Sequence, residues 1–169
     1  MLAANEMQLI NPGDDPSIWV FHNILGDDGV CGLGFARAGQ AATTACLLVS
    51  RTLHTQKILH ELSRKGLLYE RSSALLAATA LRPGDIAIDI GAHVGFFSTI
   101  YRLATGPEGM VFAFEPLPET FRRLQNNLAF NEFANVSAIP LALSDHCGEE
   151  IFHINPDNEG ESSLIGTKN

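Results

Sequence analysis

The hydrophobic pattern changes character about halfway along the chain. Up to Leu81 it is mixed. Residues 1–16 are polar and turn-rich, ending in Asn11-Pro12-Gly13-Asp14-Asp15-Pro16, and suggest a loose lead-in. Ser17 to Leu25 and Val30 to Ala36 are rich in β-formers and flank Gly26-Asp27-Asp28-Gly29, which predicts a short hairpin. From Ala41 to Arg64, the apolar residues Ala45, Leu48, Val49, Leu53, Ile58, Leu59 and Leu62 roughly follow helical spacing and stop before Gly66. A second helix is expected from Arg71 to Leu81, ended by the Pro-Gly punctuation of Arg82-Pro83-Gly84-Asp85.

Beyond that turn the pattern becomes strand–helix alternation. Ile86 to Ile90 reads as a fully buried strand, apolar except for Asp89 near its end. Phe96 to Thr105 has helical spacing and ends at Gly106-Pro107-Glu108-Gly109. Met110 to Phe114 is a second buried strand closing on Glu115-Pro116. Pro118 suits a helix start, where its missing N–H costs least. Phe121, Leu124 and Leu128 form the apolar stripe of that helix, with Asn131 at its exit. Val136 to Leu143 is a third strand, placed at an edge by Pro140. This order is the grammar of a parallel, doubly wound α/β sheet.

Composition narrows the function. A chain of 169 residues, 46% hydrophobic and 18% charged, suffices for one domain with a true core. Its formal charge is −8, and the acids are concentrated late: 12 of the 19 acids but only 5 of the 11 bases follow Ala80. That balance disfavours a nucleic-acid backbone as partner. Cys31, Cys46 and Cys147 show neither disulfide nor zinc spacing, which fits a reducing, cytoplasmic setting. No apolar run approaches the ~20 residues of a membrane helix, and the first ten residues lack the basic start of a secretory signal.

Candidate chemistry gathers between Asp85 and Glu115. The first strand of the alternation runs into Asp89-Ile90-Gly91-Ala92-His93-Val94-Gly95, and a helix follows. Two glycines let the backbone pass close to a ligand where a Cβ would collide. The helix N-terminus suits a carboxylate, and the acid suits an ammonium group. Twenty residues beyond Gly95, Glu115 ends the next strand, placed to accept bonds from two ribose hydroxyls. An amino acid joined to a nucleoside meets all three demands, and S-adenosylmethionine is such a molecule. Each piece alone is commonplace, since GxxxG also serves helix packing and an acid can merely solvate a strand end. Order and distance together favour the ligand site.

These residues, with Tyr69-Glu70, Arg82 to Asp85, Gly106 to Gly109, Phe114-Glu115-Pro116, the Asn127 and Asn131 pair, Ala142-Leu143-Ser144-Asp145, and Pro156 to Leu164, resemble the FkbM family of methyltransferases. The resemblance runs from Tyr69 to Leu164. It implies a Rossmann-like class I methyltransferase sheet, with S-adenosylmethionine as donor and O-methylation of a small molecule, sugar or secondary metabolite. By the motif, Asp89, Gly91 and Gly95 hold the methionine portion, Ala92 and His93 belong to the same cofactor-binding loop, Glu115 holds the ribose, and Ala142 and Leu143 border the adenine. Many relatives in the wider superfamily carry an Asp at that last place; here the side chains are apolar, so an adenine contact there would be packing or backbone. Asp145 is as well explained by capping the next turn. No residue is assigned as a catalytic base or metal ligand: His93 orients the loop, and Asp145 to His153 reads as a polar turn into a hairpin strand.

The resemblance also implies a deficit. Family members continue with further βα units and a Lys-Ile-Asp-Val-Glu-Gly-like fourth strand, and nothing here matches it. Only the front half of the sheet (parallel strands one to three with their helices) is expected, in residues 67–169, after an α+β N-terminal segment of residues 1–66. The chain is then a fragment of a longer enzyme, or another chain completes its sheet, and the open strand edge is a surface for self-association. Two other functions compete: a non-catalytic interaction remnant, and a nicotinamide-dependent oxidoreductase. The second is disfavoured because the loop lacks GxGxxG and begins with an acid that would face a pyrophosphate.

Overall fold

The computed structural model describes residues 8–10, 17–25, 28–37, 41–155 and 163–164. The expectations for Gly26-Asp27, for most of the lead-in and for most of Pro156 to Leu164 lie outside these residues. Strands β1 (Gln8–Ile10), β2 (Ser17–Leu25), β3 (Asp28–Ala36) and β4 (Thr43–Ser50) form one antiparallel sheet in chain order. The hairpin is present as β2 and β3, with Trp19 opposite Gly34 and Asn23 opposite Val30. Part of the lead-in is not loose, because Gln8 to Ile10 pairs with β2.

The long helix expected over 41–64 is instead two elements, β4 and α1 (His54–Arg64). Thr43, Thr44 and Val49 are β-branched, and Ala45, Leu47 and Val49 alternate inward, the period of a strand. Ser50 makes the break: its Oγ accepts the N–H groups of Thr52 and Leu53, while the Gln56 side-chain oxygen accepts the Ser50 N–H.

Helix α2 (Arg71–Ala80) leads into β5 (Ile86–Ile90), α3 (Phe96–Thr105), β6 (Met110–Phe114), α4 (Pro118–Phe130) and β7 (Val136–Ile139). The three strands are parallel in the order β5-β6-β7, so β7 lies at an edge as Pro140 implies, and it stops just before that proline. Two short strands, β8 (Phe152–His153) and β9 (Ser163–Leu164), pair antiparallel beyond it.

The layers are sheet, helices, sheet. Helix α3 touches β3 and β4 on one side and β5 and β6 on the other. It is accordingly buried nearly all round, through Phe96, Ser98, Thr99, Ile100, Leu103, Ala104 and Thr105. Leu33, Leu47, Val49, Ile100 and Ala74 share one core cluster, and Val111, Ala113, Leu124 and Leu128 form another beneath the parallel sheet. Arg37 joins the layers. Its guanidinium donates to the carbonyl of Leu81, and at 3.5 Å to those of Ala78 and Ala104, at the C-terminal ends of α2 and α3.

One expectation fails at β5. The strand is not buried on both faces: Ala87 and Asp89 are covered, whereas Ile86, Ile88 and Ile90 are 68%, 57% and 66% exposed. Helices α3 and α4 cover the face that carries Ala87, Val111 and Ala113. Among the described residues no strand pairs with the second edge of β5.

Candidate functional site

The loop after β5 is built from backbone bonds. The N–H groups of Gly91 and Ala92 both donate to the carbonyl of Phe114, at 2.9 and 2.8 Å, which pins the end of β5 to the end of β6. Three residues adopt left-handed conformations: Gly91 (φ 75°), His93 (φ 52°) and Gly95 (φ 92°). The glycines differ in what surrounds them. A Cβ at Gly91 would meet nothing within 4 Å, so this stretch of backbone lies open to a ligand. A Cβ at Gly95 would come within 2.8 Å of Leu124 Cδ1, so here the missing side chain admits α4.

Both acids are buried, Asp89 to 6% and Glu115 to 5% exposure. Ser98 Oγ donates to Asp89 Oδ2 at 2.5 Å. Burial pushes the Asp89 carboxyl above its ordinary pKa; the Ser98 bond works against that, and the charge of Glu115 adds to it. Burial and the Asp89 charge also raise the Tyr101 phenol. Such an acid is poised for a cation, whose approach would offset the lost hydration. Glu115 braces the site: Oε2 accepts the His93 N–H and Oε1 the Leu117 N–H, each at 2.9 Å. Each oxygen keeps a further lone pair for a donor in the cleft.

These groups meet in one cleft of about 970 Å³. Asp89, Gly91, Ala92, His93, Glu115, Ala142 and Leu143 all line it. Gly95 stands behind, as the buried residue that begins α3. Leu143 is 43% exposed at the rim, beside Ala142. Also lining the cleft, Tyr69, Phe96, Phe97 and Tyr101 form a chain of ring contacts at 5.4, 5.3 and 6.1 Å between centroids. Glu70, at the same wall, begins α2 with φ 42°, a left-handed conformation uncommon for a residue with a side chain.

Sequence reasoning overlooked some of these partners. Ser98 sits nine residues past Asp89, one turn into α3, and nothing in its type signals the bond. The pairing of Asn127 and Asn131 at i and i+4 was visible, but not what they hold. His60, on α1, is buried to 6% exposure, and Gly29 leaves room for its ring. Asp145, His146 and Glu150 form an exposed ion-pair cluster outside the cleft, with His146 raised by Asp145 and then Glu150.

A parallel sheet with a glycine loop between β5 and α3, an acid ending each of two neighbouring strands and a cleft over their carboxyl ends is a Rossmann-like arrangement. Residues 89–168 match the Methyltransferase FkbM domain. It is 34% identical over 79 residues to the methyltransferase sdnD of Sordaria araneosa, covering 46% of this chain and 30% of that protein. It is 36% identical over 77 residues to the 31-O-demethyl-FK506 methyltransferase FkbM of Streptomyces tacrolimicus, covering 46% and 29%. A stretch of 86 residues is 38% identical to the AMB antimetabolite synthetase AmbE of Pseudomonas aeruginosa, covering 51% of this chain and 4% of that one. The similarity thus spans less than a third of each of these relatives. Among solved structures the chain is loosely similar to an S-adenosylmethionine-dependent O-methyltransferase from Thermotoga maritima, with a TM-score of 0.43 and 16% identity over 83% of this chain and 60% of that one.

Proposed function

We propose that the cleft binds S-adenosylmethionine, the donor of the FkbM family, and that the site serves methyl transfer to an oxygen of a small acceptor. The observation that carries this is Asp89: a buried, partly desolvated acid beside open glycine backbone suits the ammonium end of an amino acid. Glu115 would take the ribose hydroxyls, while Ala142 and Leu143 offer an apolar edge for the adenine. The bound donor supplies a methyl group already activated on a sulfonium, so the chain's own residues mainly bind, orient and exclude water. The described cleft lining contains no Lys or Arg, which disfavours an anionic acceptor. An oxygen acceptor is also favoured by the relative named for 31-O-demethyl-FK506.

Calorimetric titration of the chain with S-adenosylhomocysteine, NAD and buffer tests the reading. Heat with S-adenosylhomocysteine, lost in Asp89→Asn, is the expected result. Heat with NAD alone would establish the oxidoreductase instead, and silence with both ligands would favour the interaction remnant.

A further inference from the structure

Two asparagines of α4 do the work of a neighbouring strand. Asn131 Oδ1 accepts the Cys46 N–H at 2.7 Å, and its Nδ2 donates to the Cys46 carbonyl at 2.6 Å. One helical turn earlier, Asn127 Oδ1 accepts the Leu48 N–H at 2.7 Å and Nδ2 donates to the Leu48 carbonyl at 3.2 Å. Each side-chain amide thus exchanges a donor and an acceptor with one residue of β4, as a peptide group of an antiparallel strand would. The spacing permits it: four residues of helix rise about 6 Å and two residues of strand about 6.8 Å.

The two differ in their remaining bond. Asn131 Nδ2 donates to the carbonyl of Asn127 within its own helix, at 2.7 Å. Asn127 Nδ2 donates at 2.8 Å to the carbonyl of Val94, between the left-handed residues His93 and Gly95. Asn127 is buried to 1% exposure and Val94 completely. Leu124, one turn before Asn127, fills the space left by the missing Cβ of Gly95. Helix α4 therefore holds the loop at two consecutive positions and the antiparallel sheet with the same amide.

We propose that Asn127 is a positioning residue of the donor site, which fixes the Gly91–Gly95 loop in register with the antiparallel sheet through the carbonyl of Val94. This rests on the donor-site reading above. It makes β4, which is distant in sequence from the glycine loop, part of what shapes the cleft. Asn131 has the same grip on the sheet and none on the loop, and so serves as its internal control.

The test compares Asn127→Asp with Asn131→Asp in the whole chain. A carboxylate still accepts from the strand N–H but donates to no carbonyl. Without ligand, hydrogen exchange of residues 90–97 should quicken by about tenfold or more in N127D and change by less than about twofold in N131D, although both loosen β4. S-adenosylhomocysteine affinity should fall about tenfold in N127D alone. Equal loop exchange in the two variants, or an unchanged loop in N127D, overturns the proposal. Should N127D fail to fold, the wild-type chain in rising urea decides: the Leu48 amide and the loop amides should share one opening, and separate openings overturn the proposal. A loop loosened in N127D together with a wild-type chain that ignores S-adenosylhomocysteine would uphold the tie and remove the donor reading.

Discussion

Asp89 is costly to the fold when it is ionised. Its carboxyl is raised by burial, so the native state binds the proton more tightly than the unfolded chain does. Stability therefore falls as pH rises from the ordinary carboxylate value through the raised one, because ionisation is easier in the unfolded state. Asp89→Asn removes that penalty: its Tm should exceed that of the wild type at pH 7, and the advantage should shrink at pH 4. The same variant should lose about tenfold or more in S-adenosylhomocysteine affinity, as a charged partner of an ammonium is lost. Wild-type affinity should weaken as acidification protonates Asp89. The two glycines separate along the same line. Gly91→Ala meets open space and carries only backbone strain of about 1–2 kcal/mol, yet should block the ligand. Gly95→Ala adds the overlap with Leu124 and should destabilise more in urea unfolding. That Asp89, Gly91 and Glu115 gather at one cleft was legible from residue type and order. Ser98 and Asn127 were not, since hydrogen-bonding partners are chosen by three-dimensional packing rather than by spacing.

Elements were most readable where period and punctuation agree. Helix α3 between Gly95 and Gly106, and α4 from Pro118 to its cap at Asn131, fall where glycine, proline and the apolar stripe place them. The stretch 41–64 misled because Leu47, Leu48 and Val49 satisfy either period over so few residues, and the break lies in Ser50, whose hydroxyl caps the turn. Arg37 fastens two of these elements at once. Three main-chain carbonyls at helix C-termini receive its guanidinium, so Arg37→Met should cost about 1–3 kcal/mol in urea unfolding. An unchanged midpoint would mean that these carbonyls are satisfied without it.

For the molecule as a whole, the sheet–helix–sheet layering makes one side of the parallel sheet a solid core and leaves the other apolar and, among the described residues, exposed at Ile86, Ile88 and Ile90. The sequence pattern of β5 could not reveal this, because an apolar run records what a strand can bury rather than what covers it. Ile88 should accordingly tolerate polarity: Ile88→Thr is expected to change stability by no more than about 0.5 kcal/mol, against about 2–5 kcal/mol for Leu124→Ala in the fully buried position. Similar losses in the two would contradict the exposed face. The asparagine pair on α4 has a consequence for growth. Strands recruit strands through unspent main-chain groups, and at Cys46 and Leu48 those groups are already engaged by side chains that offer no further row of their own. A short β-forming peptide designed to lengthen the antiparallel sheet should therefore be turned away at β4, while the same peptide finds a ready template along β5.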